Sequence, residues 1–373
     1  MKYYLVAGEA SGDLHGANLM KALKAQDPNA QFRFFGGDLM LAEGGTLAKH
    51  YAEMAFMGFV EVVVNLTTIL KNLAFCKADI ITWQPDVLIL IDFPGFNLKI
   101  ADFAKKNNLT TCYYISPKVW AWNQKRVLKI KKIVDHLFCI LPFEVNFYKK
   151  WGMEVDYVGN PLLDAIAAFK PDGNFFENNK LDPNKKIIAL LPGSRKQELN
   201  YLLPDMVDIA DRFPDYQFVI AGAPTFKAEF YEQFLGDKNI PVIFGATYDL
   251  LNNAHAAVVA SGTAILETAL FDVPQVLVYK GNTVSVGIAR AVIKIKYIGL
   301  VNLIMDAPVI KELIQQDCNP QTIADELALI LDDKTYRQNM LDNYNKLDER
   351  MGKPGASAKT AGLIIKYISQ KPG

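Results

Sequence analysis

The sequence predicts an α/β protein made of two doubly wound halves, and three observations predict it. Short apolar runs rich in β-branched and aromatic residues recur along the chain, and the gaps between them are long enough for a helix each. The rhythm breaks once, at the polar stretch 170–186, KPDGNFFENNKLDPNKK, and then restarts. The length, 373 residues at about 150 per domain, also asks for two domains.

In the first half the strand candidates are 3–7, 32–35, 87–91, 111–115, 137–140 and 155–158. A linker or boundary is expected at 170–186. The second set is 187–191, 218–221, 242–244, 257–260 and 275–278, followed from Pro320 by helices with apolar residues at helical spacing, among them Ile323, Leu327, Ile330, Ile364 and Ile368. The expected division is 1–168, 169–350 and a terminal helix within 351–373 that packs back toward an N-terminal domain, its own or a partner chain's.

Composition narrows the function classes. Forty Lys and Arg balance forty Asp and Glu, so there is no whole-molecule basic field to hold nucleic acid. Four scattered cysteines, Cys76, Cys112, Cys139 and Cys318, form no C-x-x-C pair and suggest a reduced, cytoplasmic protein. No signal-peptide pattern is read at the amino terminus. The apolar stretch 54–76 is long enough to cross a bilayer, but Glu61, Asn65 and Lys71 interrupt it, so a span is not expected.

In open α/β sheets ligands sit at the carboxyl ends of strands, so the loops there carry the chemistry. After the first strand, Gly8-Glu9-Ala10-Ser11-Gly12-Asp13 opens a helix. Its amino end can meet an anion or hydroxyl, or Ser11 or Asp13 can simply be the N-cap. After 87–91 stands Asp92, a general base if burial raises its pKa, or a turn acceptor. The segment from Ser116 to Lys132 holds six basic residues and two tryptophans, Trp120 and Trp122. It fits a phosphate or an anionic membrane surface, or a solvated helix face over core tryptophans.

In the second half, Gly193-Ser194-Arg195 and Ser261-Gly262-Thr263 each follow a strand and can offer backbone N–H groups to a diphosphate. Arg195 adds a fixed cation, and Glu267 can accept ribose hydroxyls. No D-x-D pair, H-E-x-x-H or P-loop is present, so neither a metal nor a cofactor is called for.

Together these motifs resemble the lipid-A-disaccharide synthase family. The blocks are AGEASGDLHGANLMKAL from Ala7, FFGGDLMLAEGG from Phe34, MAFMGFVEVV from Met54, PDVLILIDFPGFN from Pro85, YISPKVWAWNQKR from Tyr114, ILPFE from Ile140, LLPGSRKQEL from Leu190, ASGTAILETAL from Ala260, VLVYK from Val276 and VNLI from Val301. The resemblance implies a GT-B-like fold, two Rossmann-like domains facing a central cleft, the first taking the acceptor and lipid and the second the UDP-sugar. It implies an inverting, metal-independent condensation of UDP-2,3-diacylglucosamine with 2,3-diacylglucosamine 1-phosphate, giving a β-1′,6-linked disaccharide and UDP.

On that reading Asp92 is the base. Gly193, Ser194, Arg195, Ser261, Gly262, Thr263, Glu267 and Asn302 bind UDP, with Arg195 also catalytic. Ser11, Asp13, Lys118 and Arg126 face the acceptor and its phosphate. Met54, Phe56, Met57, Phe59, Val60 and Val63 meet acyl chains or the inner face of the cytoplasmic membrane, and a homodimer is implied. One departure stands in the Asp92 block: many relatives carry a second aspartate where this chain has Gly95. The alternatives are another UDP-sugar enzyme of the same fold, such as a lipid-linked N-acetylglucosaminyltransferase or an epimerase, or an inactive nucleotide-sugar or lipid binder.

Overall fold

The structure, a computed structural model, describes residues 1–54, 66–282 and 295–370. It divides into two compact units, Met1–Ala165 with Lys353–Gly373, and Ile166–Gly352. Each unit carries one parallel sheet. In the first, β1 (Lys2–Ala7), β2 (Gln31–Gly36), β3 (Thr46–His50), β4 (Val87–Ile91), β5 (Thr111–Tyr114), β6 (His136–Cys139) and β7 (Asp156–Tyr157) lie in the order β3-β2-β1-β4-β5-β6-β7. In the second, β8 (Lys186–Leu191), β9 (Tyr216–Gly222), β10 (Val242–Phe244), β11 (Ala254–Ala260), β12 (Gln275–Tyr279) and β13 (Glu312–Ile314) lie in the order β10-β9-β8-β11-β12-β13.

The apolar runs are strands because a parallel sheet is covered on both faces. Tyr4 and Val6 of β1 join Leu88, Leu90, Tyr113 and Leu137 in one core, while Tyr3, Leu5 and Ala7 join Val87, Ile89, Ile91, Tyr114 and Phe138 in the other. All four cysteines are buried thiols. Two strands escape the sequence reading. β3 and β13 close the edges of their sheets and are mostly half-buried, so they lack a continuous apolar run.

The polar stretch 170–186 is not a linker. It belongs to the second unit, where Phe175 is buried, the Asp172 N–H donates to Asp249 Oδ1 at 2.7 Å and Gln217 Nε2 donates to the Asp182 carbonyl at 2.6 Å. Its Asn, Asp and Pro residues are turn formers satisfied within that unit. The chain passes between units at 165/166 and again at 352/353.

After the second crossing the helix Ala356–Ser369 packs in the first unit. Ala361 and Ile364 join Leu19, Met20 and Leu23 of the helix Ala10–Gln26 in one core, and Tyr367 stacks on His136 at 3.9 Å and donates to Asp156 at 2.9 Å. Asp164 receives the backbone N–H of Gly355, tying down the helix start. Among the described residues no helix is long and apolar enough to cross a membrane.

Strand order fixes where ligands can sit. In each sheet the winding reverses at one place, between β1 and β4 and between β8 and β11, and the loops leaving such neighbouring strands diverge to opposite faces. Four of the five segments singled out in the sequence leave those four strands, and the fifth, from Ser116, follows β5.

Candidate active site

In the first unit, β1 ends at Gly8-Glu9 and β4 at Asp92-Phe93. A Cβ on Gly8 would stand 2.2 Å from the Phe93 ring, so only glycine lets the two loops close up. Asp92 and Phe93 are consecutive non-glycine residues with left-handed backbones, φ 43° and 47°. Such a pair persists only when its surroundings over-determine it. Here the Asp92 N–H donates to the Tyr114 carbonyl at 3.0 Å, and the Asp92 carbonyl accepts from Asn97 Nδ2 at 2.8 Å and from the Tyr113 hydroxyl at 2.6 Å. Asn97 is fully buried and also reaches the Ile91 carbonyl at 3.1 Å.

The backbone of Asp92 is therefore spent, and its carboxylate accepts from the Phe93 N–H. The residue is not an N-cap, because the following helix, Pro94–Lys106, is capped at Phe93 with no side-chain bond. Burial raises the Asp92 pKa above the usual carboxylate range; the Lys118 charge and the Phe93 N–H oppose this, and the Glu9 charge adds to it. A half-buried carboxylate with a raised pKa at a strand end is what a general base requires. Sequence reasoning overlooked Glu9, although its place in the Gly8-Glu9 turn was a usable signal.

The acceptor-side residues divide. Ser11 is exposed in the first turn of Ala10–Gln26, whose cap is Glu9 rather than Ser11 or Asp13. Asp13 is buried and receives the backbone N–H groups of Gly37, Leu39 and Met40 at 2.7, 3.1 and 3.1 Å. Its carboxylate caps the neighbouring helix Asp38–Ala42, which corrects the expectation that it faces an acceptor. Lys118 is exposed at the start of the short helix Val119–Trp122. Arg126 lies over the exposed Trp122 ring at 4.8 Å, whereas Trp120 is core. Met54 is also core, packed with Leu73 and Cys76, and so is not available to acyl chains; Phe56, Met57, Phe59, Val60 and Val63 lie outside the described residues.

In the second unit, Gly193 turns with φ 98° after β8, and Arg195 caps the helix Lys196–Asp208. Glu198 folds back onto this turn. Its Oε2 accepts the N–H groups of Ser194 and Arg195 at 3.2 and 3.3 Å, and its Oε1 accepts from Arg195 Nη1 at 3.2 Å. The backbone donors expected for a diphosphate are thus answered by the chain's own carboxylate. A Cβ on Gly193 would stand 2.4 Å from that same oxygen, so glycine is what admits it. The turn fits an anion, and a carboxylate fills it.

The second turn is open. The Ser261 N–H closes onto the Val278 carbonyl at 3.0 Å, while Gly262 and Thr263 are exposed and no atom approaches where a Gly262 Cβ would be. Glu267, one turn into Ala264–Leu270, accepts from the Tyr248 hydroxyl at 3.1 Å, and burial raises its pKa. Tyr248 lies on a different helix, Thr247–Asn253, and no local pattern pairs it with Glu267.

Asn302 does not join this group. It is 1% exposed, its Nδ2 donates to the Ile310 carbonyl and to Glu312 Oε1, both at 2.9 Å, and its Oδ1 accepts the Ile310 N–H at 3.0 Å. Every polar atom of the side chain is used to clip the loop before β13, so it has none for a nucleotide.

Comparison with known proteins shows the family and the fold. The family model described as "Lipid-A-disaccharide synthetase" matches residues 3–363. A lipid-A-disaccharide synthase of Trichlorobacter lovleyi is 37% identical over 372 residues, covering 98% of this chain and 97% of the relative. One from Syntrophus aciditrophicus is 39% identical over 373 residues, covering 98% and 97%. Among solved structures, a UDP-GlcNAc 2-epimerase from Neisseria meningitidis bound to UDP-GlcNAc superposes with a TM-score of 0.67 at 12% identity, with all of both chains covered. The glycotransferase of kitacinnamycin gives 0.68 at 13% identity, covering 98% of each chain. At such identities these two structures speak to the fold alone.

Proposed function

The chain belongs to the lipid-A-disaccharide synthetase family, and from that premise we propose that it joins UDP-2,3-diacylglucosamine to 2,3-diacylglucosamine 1-phosphate, releasing UDP, in lipid A biosynthesis. The observation that carries the reading is Asp92: a carboxylate of raised pKa, free of any capping duty, at the reversal point of the first sheet. The acceptor's 6-hydroxyl oxygen forms the new bond to the donor anomeric carbon while the bond from that carbon to UDP breaks with its electron pair. Asp92 takes the hydroxyl proton. Charge on the departing diphosphate calls for fixed donors, and Arg195 with the turns at Gly193-Ser194 and Ser261-Gly262-Thr263 are the groups of the second unit suited to it. Glu267 takes the ribose hydroxyls. Lys118 and Arg126 are the cations for the acceptor phosphate, with Ser11 as a hydroxyl beside them.

The same proposal includes work at the inner face of the cytoplasmic membrane. Helix Leu66–Trp83 exposes Leu66, Leu70, Phe75 and Ile81, and Leu70 lines one shallow pocket together with Lys77, Lys99 and Lys129. Exposed Trp122 and Leu128 lie in the basic run that holds Lys125, Lys129 and Lys132. Apolar side chains among lysines suit an anionic lipid surface. A homodimer is part of the reading, and the mass in solution tests it.

The deciding experiment incubates the purified protein with both acylated substrates and detergent, without added divalent metal. Disaccharide and UDP are expected in equal amounts; absence of product under every detergent condition overturns the proposal.

A further inference from the structure

The first unit holds another buried carboxylate that the proposed reaction does not use. Glu144, in the first turn of the helix Pro142–Lys149, is 1% exposed. Its Oε2 accepts the Leu141 N–H at 3.0 Å, which closes the cap of its own helix. Its Oε1 reaches another segment, accepting the Ser116 hydroxyl at 2.5 Å and the Trp120 indole N–H at 3.1 Å.

Those two donors flank Lys118. Between them the Pro117 carbonyl accepts from the Tyr148 hydroxyl at 3.4 Å, so the segment is bonded before and after the lysine. Of the ten residues from Thr111 to Trp120, Lys118 alone is exposed. The segment is entered through Ile115, a β-branched residue at φ 65°, a conformation that persists only where neighbours hold it. β5 pairs with β4 in parallel, Ile91 opposite Tyr114, and this puts the strained turn next to Asp92.

From this arrangement we infer that Glu144 is a positioning residue: by anchoring Ser116 and Trp120 it holds the Lys118 ammonium where its charge acts on Asp92. The inference rests on Asp92 being the base. The charged groups acting on Asp92 are Lys118, which favours the carboxylate, and Glu9, which opposes it; burial is the largest influence, and the Tyr113 hydroxyl is already bonded to the Asp92 carbonyl. Around Glu144 the titratable neighbours are Cys139, Tyr148 and Tyr157, none of them cationic, so its donors, the Ser116 hydroxyl, the Trp120 indole and the backbone N–H groups of Leu141 and Ile140, are what match the carboxylate. Releasing Lys118 removes the cation that, among the described residues, favours ionised Asp92, and the Asp92 pKa rises.

The test titrates Asp92 directly in the full chain by carboxyl ¹³C NMR, its signal identified by its loss in D92N. Lys118→Met is expected to raise the Asp92 pKa by at least half a unit, about a threefold change in acidity. Glu144→Ala is expected to do the same, and Glu144→Ala added to Lys118→Met to move it no further. Ser116→Ala and Trp120→Phe each remove one anchor with little loss of packing, and either is expected to give a smaller shift of the same sign; they decide the matter if Glu144→Ala does not fold. The inference is overturned if Lys118→Met leaves Asp92 unmoved, if the anchor variants leave it unmoved while Lys118→Met raises it, or if the two effects add. In the disaccharide assay the acid limb of kcat/KM should shift with the NMR value and UDP affinity should not change. A wild-type protein that makes no disaccharide removes the proposed reaction but leaves the NMR result to judge Glu144.

Discussion

Asp92 joins two costs, a left-handed backbone and a carboxylate held in a setting that disfavours its charge. As the proposed base, Asp92 must be ionised to accept a proton, so activity is expected to fall as pH drops through its raised pKa, with the acid limb of kcat/KM above the usual range near ~3.9. Asp92→Asn should cut turnover by a factor of about 10² or more with UDP affinity unchanged; near-normal turnover would move the base elsewhere. The same shift has a stability sign. A folded-state pKa above the unfolded value gives stability at low pH that is lost as pH rises through it, so Asp92→Asn should melt higher than wild type at pH 8 and no higher at pH 3. Gly95 offers a further probe, since it is exposed in the first turn of Pro94–Lys106 with open space where a Cβ would be. Gly95→Asp should fold with stability within about 0.5 kcal/mol of wild type, and its added negative charge should move the acid limb upward. An acid limb left in place would show that residue 95 does not act on Asp92. Asp92 was legible because a lone carboxylate closes an apolar run; Asp13 was misread because its partners, Gly37 to Met40, lie 24 to 27 residues away.

At the scale of the element, the turn between β8 and the helix Lys196–Asp208 carries an anion site already holding an anion. Glu198 completes the capping box and occupies donors that a diphosphate needs. Arg195→Ala should weaken UDP binding by about tenfold to a hundredfold, as losing a charged hydrogen bond does. Glu198→Ala should lower stability by roughly 1 kcal/mol through the lost cap and yet tighten UDP binding, because no carboxylate then competes for Ser194 and Arg195. Calorimetric titration with UDP reads both, and weaker binding to Glu198→Ala would show that Glu198 supports the turn for the nucleotide instead. The carboxyl-terminal helix gives a second element-level prediction. Ile364 is fully buried against the first unit's core, so Ile364→Ala should cost about 2–5 kcal/mol in denaturant unfolding, while an exposed position such as Lys366 should cost almost nothing. The spacing of Ile364 and Ile368 marked an amphipathic helix but left open what its apolar face meets.

For the whole molecule, zero net charge conceals exposed apolar side chains on Leu66–Trp83 and a basic run from Lys118 to Lys132. Binding to vesicles with anionic lipid is expected, weakened by Leu70→Glu and Leu128→Glu and by added salt; equal binding to neutral vesicles would remove the lysines from the account. The sequence by itself determined the two α/β halves, most of their strands and the four loops that leave the reversal points of the two sheets. Those are local matters: a strand covered on both faces must be an apolar run, and parallel strands send their carboxyl ends to one side. Only the tertiary structure decided that Asn302 and Asp13 are clips, that Glu198 fills the turn at Gly193 and that Glu144 anchors the segment carrying Lys118. A buried polar side chain must find a partner, and which partner it finds depends on the strands and helices that folding sets beside it, not on its neighbours in the chain.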